Sequence, residues 1–513
     1  MHNVISTTPI LICAIPAALA VVTYPLARLW RPLGAALAVL GLAATTALAV
    51  PMLVDTARGQ VYTSLHRELR ADSLSSLLVV LIGVVGVVAL LYSIPYITHR
   101  RITNAAGRDI TDRRVASFYA LCLLFIATMF WACLTNNIIM LYIAVEASTI
   151  ASGLLVAFYW DKHSLEAGYK YLMLLTVGIA FALFGSVLLY ATAAPLFPRA
   201  GGIHALLISD LATVAGRIPS GMALLIMAFF IVGFGTKAGL APFHPWLPDA
   251  HAEAPSPVSA LLSGVMIKTA IYALARVMTI FFPVGAYHPV AMFLIVIGAF
   301  TMLLDAIMIM AQDDLKRMLA YSSVSQMGYI AMGLGLVGIG LGGEVGYLGG
   351  YGSVFHIVNH AISKAVLFLA VGAVLYATAG RSMDHLRGLA KSMPATAVCF
   401  FIAALAIAGV PPFSGFWSKL TLYFAGAEAH LWWAVGIAIG SSLLTLAAFV
   451  RAGYKVFWSD GDASVAVTPA KRVPLTMLVP MAALTSLVIV FGVYPKLLFP
   501  LLDPAAKMLA HIP

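Results

Sequence analysis

The sequence predicts an all-α membrane protein with about fourteen transmembrane helices. Three observations predict it. Of 513 residues, 62% are hydrophobic and only 10% are charged, against about 45–50% and about 25% in soluble domains. Apolar stretches recur at about the 20-residue length that a bilayer requires. The breaks between them carry Pro, Gly and charge, and none is long enough to hold a soluble domain. With a mean hydropathy of +0.99, the composition excludes a soluble enzyme, a disordered chain and a nucleic-acid module.

The predicted segments lie near 7–28, 33–54, 74–97, 115–133, 136–159, 167–193, 221–241, 256–282, 288–311, 318–341, 349–378, 394–416, 430–455 and 474–500. The N-terminus, Met1-His2-Asn3-Val4-Ile5, lacks the positive n-region of a secretory signal, so the first apolar run reads as a retained helix. The longest connections, near 55–73, 98–114, 194–220 and 456–473, are loops.

Lys and Arg set the expected orientation. The odd connections hold about 17 of them, including Arg100, Arg101, Arg108, Arg113, Arg114, Lys316, Arg317 and Arg381. The even connections and the C-terminus hold about 8, including Arg58, Arg67, Arg70, Arg199 and Arg217. This places the odd loops in the cytoplasm and both termini outside. The formal net charge of +10 is spread thinly, with no dense basic run of the kind that grips nucleic acid. Cys13, Cys122, Cys133 and Cys399 sit in apolar stretches without a CxxC pair, and read as buried thiols.

Ionisable groups inside the hydrocarbon cost at least about 2.5–3.5 kcal/mol, and tend to mark ion paths. Glu146 falls in the fifth segment, Lys170 starts the sixth, Lys237 is in the seventh and Lys268 lies near the middle of the eighth. Lys170 is near enough to a helix end to snorkel to the headgroups. Lys268 has apolar neighbours for more than two turns on both sides, and Glu146 has no long stem to reach the interface. His356, His360 and Lys364 recur at i, i+4 and i+8 on one face of the eleventh segment, as a wired row would. A zinc site is not supported there, since His-Glu-x-x-His and a third ligand are both missing. Lys419 follows the twelfth segment. Asp305 and Glu146 are the few candidate oxygen ligands for sodium near the interior, and Asp305 also reads as a group near the cytoplasmic end of its helix.

Gly239-Leu-Ala-Pro242-Phe243 and Gly409-Val-Pro411-Pro412-Phe413 share the form Gly-x-x-Pro-Phe. Proline removes a helical hydrogen bond, so Pro242, Pro411 and Pro412 predict a broken helix at each site. Paired interrupted helices point to a transport fold with internal repeats. A lysine lies near each break. Gly333-Leu-Gly335-Leu-Val-Gly338 fits a dinucleotide pattern but follows no strand, and reads as helix packing. There is no P-loop.

At these residues the chain resembles a known family. Gly235 to Ser259, Asp314 to Gly328, the His356/His360/Lys364 face and Gly409 to Lys419 resemble the antiporter-like subunits shared by respiratory complex I, Mrp-type cation/proton antiporters and membrane-bound nickel–iron hydrogenases. The Glu146 region and Leu165-Glu-Ala-Gly-Tyr-Lys-Tyr171 look most like the hydrogenase-4 type. The resemblance implies two inverted five-helix repeats, each with a broken helix. They would occupy 115–282 and 288–455, after helices 1–3 in 1–114 and before helix 14 in 456–513. It implies a mid-membrane proton relay: Glu146 and Lys237 as an acid–lysine pair, Lys268 as the central lysine, His356, His360 and Lys364 as the connection, Lys419 at the exit and Lys170 as an accessory. Some members carry Glu where this chain has Lys419.

The expected function is a proton-translocating subunit of a redox-driven complex in a bacterial inner membrane. Its partners would be other membrane-arm subunits and a peripheral redox module. Quinone, flavin, iron–sulfur or nickel–iron centres would belong to those partners, with no cofactor or metal held by this chain. Three alternatives stand beside it: an Mrp-type sodium/proton antiporter subunit, an energy-coupling subunit of an inorganic-carbon uptake system, and a structural scaffold with a degenerate channel. The scaffold has no reason to keep buried charges.

Overall fold

The computed structural model describes residues 2–99, 102, 109–197, 201–284, 288–459 and 471–512. Arg100, Arg101, Arg108 and Arg199, counted in the orientation argument, lie outside the described residues. The helices are α1 (Thr8–Leu29), α2 (Arg31–Ala57), α3 (Ser73–Tyr96), α4 (Thr111–Leu134), α5 (Ile138–Val156), α6 (Lys162–Ala193), α7 (Ser220–Ala238), α8 (Trp246–Glu253), α9 (Ser256–Phe281), α10 (His288–Met310), α11 (Leu315–Ile339), α12 (Glu344–Thr378), α13 (Pro394–Ala408), α14 (Ser414–Glu428), α15 (Trp432–Gly453), α16 (Leu475–Val493) and α17 (Phe499–Leu509). Two short helices, Gly201–His204 and Ile208–Val214, lie between α6 and α7.

Thirteen of the described helices are long and apolar enough to cross a membrane. The twelfth predicted segment, 394–416, resolves into α13 and α14, and neither half is long enough alone. The last segment, predicted to 500, stops at Val493, and α17 follows as a separate helix. Three short strands interrupt the helical pattern: β1 (His2–Ile5), β2 (Gln60–Ser64) and β3 (Leu69–Ala71). β1 pairs parallel with β2, and β2 antiparallel with β3.

Helix starts follow local chemistry. The Asp161 carboxylate caps α6 by accepting from Ser164 N, and Asn137 Oδ1 accepts from Ile139 N at the start of α5. Asp314 caps α11 through Lys316 N and Arg317 N. The outer helices α1, α2 and α16 keep exposed apolar faces, as lipid contact demands, whereas α9, α11 and α12 are mostly buried.

The described parts of the 58–72, 201–219 and 340–343 connections meet β1 and the end of α17 on one face. Besides the β1–β2 pair, Gly342 N donates to Ala510 O there, and Arg67 forms a two-pronged bond with Asp210. On this face Arg276, near the end of α9, bonds the Asp72 carboxylate that caps α3. Burial opposes the charge on Asp72, but the Arg276 guanidinium wins and holds its carboxyl at about 2. On the other face charges from the described odd connections pair: Arg381 with Glu253 and Asp314, Arg317 with Asp249, Lys455 with Asp384.

Candidate functional site

Both predicted breaks exist, and they share one backbone design. Gly239 ends α7 and Gly409 ends α13 in the left-handed region, at φ 78° and 85°. A side chain there would be strained, so glycine is required. Leu240 N reaches back to Gly235 O and Gly239 N to Thr236 O. Val410 N likewise reaches Leu405 O, and Gly409 N reaches Ala406 O. These are paired Schellman closures. In each motif Phe N then donates to the residue after the glycine, Phe243 to Leu240 O at 2.8 Å and Phe413 to Val410 O at 3.1 Å. The Ala241–Pro242 and Pro411–Pro412 peptides are both cis.

Lys237, Lys268, His356, His360, Lys364 and Lys419 are all buried, none above 2% exposed. Lys237, on the last turn of α7, donates to Val145 O at 2.6 Å and to Thr149 Oγ1, both on α5. Glu146, the neighbouring residue, is the acid whose charge it feels. Glu146 is half-buried. Thr176 donates to its Oε1 at 2.9 Å, while Oε2 has no partner among the described residues.

Lys268 follows a π-helical turn in α9, Leu262–Met266, which frees a carbonyl for it. Its Nζ donates to Ser263 O. Ser263 Oγ meets Ser323 Oγ of α11 at 2.7 Å. One turn along α11, Leu319 O and Ser322 Oγ accept from Lys364 Nζ of α12, the former at 2.9 Å. His356 and His360 stack with ring centres 6.0 Å apart. His356 Nδ1 lies 3.0 Å from Ser418 Oγ, the neighbour of Lys419. Lys419 Nζ donates to Ser442 Oγ at 2.8 Å and sits 4.5 Å from the Tyr329 ring centre.

The groups from Lys268 to Lys419 act on one another electrostatically. Both nitrogens of His360 and Nε2 of His356 lack hydrogen-bond partners among the described residues.

Two results differ from the sequence reading of the site. Lys170 stands outside the buried row. α6 begins at Lys162, so Lys170 lies two turns in, half-exposed, bonded to Glu166 at 2.7 Å and 3.8 Å from Asp249. It lines a surface cavity of about 80 Å³ with Asp249, Glu253 and Arg317. His251, in contrast, was passed over. It sits fully buried on α8, stacked on Phe368 at 4.7 Å, in the field of Lys268, Lys364 and Lys316. Its position in Asp249-Ala-His251 after the break was the available signal. Among the described residues, no three His, Cys, Asp or Glu side chains gather as a metal site requires.

The profile of the family described as NADH:quinone oxidoreductase/Mrp antiporter, transmembrane, matches residues 135–445. The NADH-quinone oxidoreductase subunit N of Desulforudis audaxviator is 36% identical, with 95% of each chain covered. The hydrogenase-4 component F homolog of Methylacidiphilum infernorum is 32% identical, covering 73% of this chain and 77% of that one. In the solved structure of an archaeal membrane-bound sulfane sulfur reductase, one chain superposes with a TM-score of 0.85 at 25% identity, over 98% of both chains. The chain belongs to the NADH:quinone oxidoreductase/Mrp antiporter transmembrane family.

Proposed function

We propose that this chain is the proton-translocating, antiporter-like subunit of a redox-driven membrane complex. One observation carries the reading. Lys268, Lys364 and Lys419 are buried along the interior with His251, His360 and His356, and have no carboxylate ion pair among the described residues. Unpaired buried charge is destabilising unless function needs it.

The chemistry follows from the contacts. Burial disfavours a charged ammonium, and a nearby carboxylate favours it. Lys237 holds its proton while Glu146 is close, and loses that support when α5 and α7 shift. A proton arriving on Lys268 repels the next one toward Lys364. Neutral imidazoles at His251, His360 and His356 pass it on, with serine hydroxyls and water between them. Lys419 releases it. Moving one charge against 100 mV takes about 2.3 kcal/mol, a load that the partner redox chemistry supplies.

In this reading the complex lies in a bacterial inner membrane, with odd loops in the cytoplasm and both termini outside. Residues 115–282 and 288–455 form inverted repeats around the two breaks. Other membrane-arm subunits and a peripheral module are the partners, and redox centres belong to that module. An intact complex in vesicles with a pH-sensitive dye tests it. Lys237→Ala and Lys268→Ala abolish the pH gradient while electron transfer by a detergent-solubilised sample persists. A native gradient in both variants overturns the proposal.

A further inference from the structure

Asp305 of α10 is not used by this relay, yet it is fully buried in an apolar helix. Neither of its carboxylate oxygens has a hydrogen-bond partner among the described residues. A lone buried carboxylate is unfavourable, and it takes up either a proton or a cation. Its nearest basic neighbour is His244 Nε2, 3.5 Å from Oδ1. That distance is too long for a good hydrogen bond, and a small approach closes it. His244 Nδ1 is also buried and without a partner.

His244 is on the break itself, between α7 and α8. The same loop is tied to the same face of α10, because Ala241 N donates to Thr301 Oγ1 at 3.1 Å. Thr301 precedes Asp305 by one turn. A shift of the first break therefore changes the His244–Asp305 distance directly.

Tyr321 of α11, one turn from Arg317, lies in the electrostatic field of Asp305, Arg317 and Asp249. Arg317 and Asp249 line the surface cavity that holds Lys170. Other cations on the packed elements are engaged elsewhere. Arg317 bonds Asp249 at 3.0 Å, Lys316 donates to Ala254 O, and Arg451 of α15 donates to Gln312 O at 2.7 Å. Lys237 is committed to α5.

We propose that Asp305 and His244 form a proton-uptake site at the first break, fed from the side of the Lys170 cavity. The site rests on the proton-translocation reading and adds an inlet to it. The proton moves from water in the cavity to the Asp305 carboxylate. It passes to His244 Nε2 when the break closes on α10, and leaves from Nδ1 toward the relay. No bond other than these O–H and N–H bonds forms or breaks.

The test uses the intact complex in vesicles, with Asp305→Asn, Asp305→Glu, His244→Gln and Lys237→Ala. The proposal expects Asp305→Asn to slow proton uptake about tenfold, a loss equivalent to about 1.4 kcal/mol. Asp305→Glu restores part of it, and His244→Gln shifts the pH profile of the initial rate. It also expects a protonated-carboxyl band in the infrared pH-difference spectrum that is absent from Asp305→Asn and unchanged when sodium replaces choline. Native rate and pH profile in Asp305→Asn, with Lys237→Ala inactive, overturns the inlet and leaves the relay standing. Native activity in Lys237→Ala overturns the relay itself. A band that responds to sodium assigns Asp305 to sodium and overturns the proton assignment.

Discussion

The two broken helices share a backbone and differ in what surrounds it. Both end their first half with a left-handed glycine, a Schellman closure and a cis-proline turn. At the first break the third residue is Ala241, whose N–H ties the loop to Thr301. At the second it is Pro411, which has no N–H to give. The first break faces an acid, Asp305, and its lysine reaches a helix that carries Glu146. The second break faces hydroxyls, from Ser442, Tyr329 and Tyr423. The lysines also stand on opposite sides. Lys237 precedes its break, while Lys419 lies beyond its own and folds back to within 3.5 Å of Ala408 O. One fold device thus serves two charge environments: a lysine near acid and a lysine among neutral donors and acceptors.

The largest expected effect is on transport. Lys237→Ala and Lys419→Ala each lower the proton translocation rate about 100-fold or more, the scale of a lost proton-transfer group. Dye quenching in vesicles checks this. Equal activity in either variant breaks the functional half of the comparison.

A partly buried cation with a carboxylate partner gives the contrast. Arg276 has Asp72, so Asp72→Asn leaves it unpaired and costs about 3 kcal/mol of stability. The sign of the pH dependence is fixed by the lowered carboxyl of Asp72. Its contribution is complete above the unfolded value of about 4, and fades as the pH falls toward about 2. Thermal melts of the two proteins should therefore differ by a constant gap from pH 8 to 5, closing only below about 4.

Next is the acid itself. Glu146→Gln slows transport about tenfold, or about 1.4 kcal/mol, because Lys237 loses the charge that favours its proton. Ser442→Ala, the matching change at Lys419, has a smaller effect because it removes one neutral hydrogen bond. Equal effects in a rate assay would erase the distinction between the two environments.

Alanine at either left-handed glycine costs about 1–2 kcal/mol, read by thermal unfolding. At Gly409 the new methyl meets Lys419 Cδ at 2.9 Å, whereas at Gly239 it meets Leu247 Cδ1 at 2.9 Å. Transport should therefore suffer more in Gly409→Ala. The smallest effect is expected from Lys170→Ala. Its pair with Glu166 is exposed to solvent and screened, and the rate should stay within about twofold.

Much of the architecture was legible in advance. Hydropathy, proline and glycine act locally on the backbone, so the fourteen segments and both breaks follow from the residues themselves. The costly side chains were legible for the same reason, since Lys268 and the His356/His360/Lys364 row interrupt long apolar runs. The strands 60–64 and 69–71 were not, because their pairing depends on chain brought together from the N-terminus.

The sequence by itself determined which residues are charged inside the membrane and where the helices break. Tertiary structure decided what each charge meets. It moved Lys170 to the surface, brought His251 into the row, and set His244 against Asp305 across a helix interface. It also placed the two lysines on opposite sides of otherwise matching breaks. The physical reason is range. Helix propensity and hydropathy are properties of neighbours along the chain, whereas burial, partner and electrostatic field are set by which helix faces pack together.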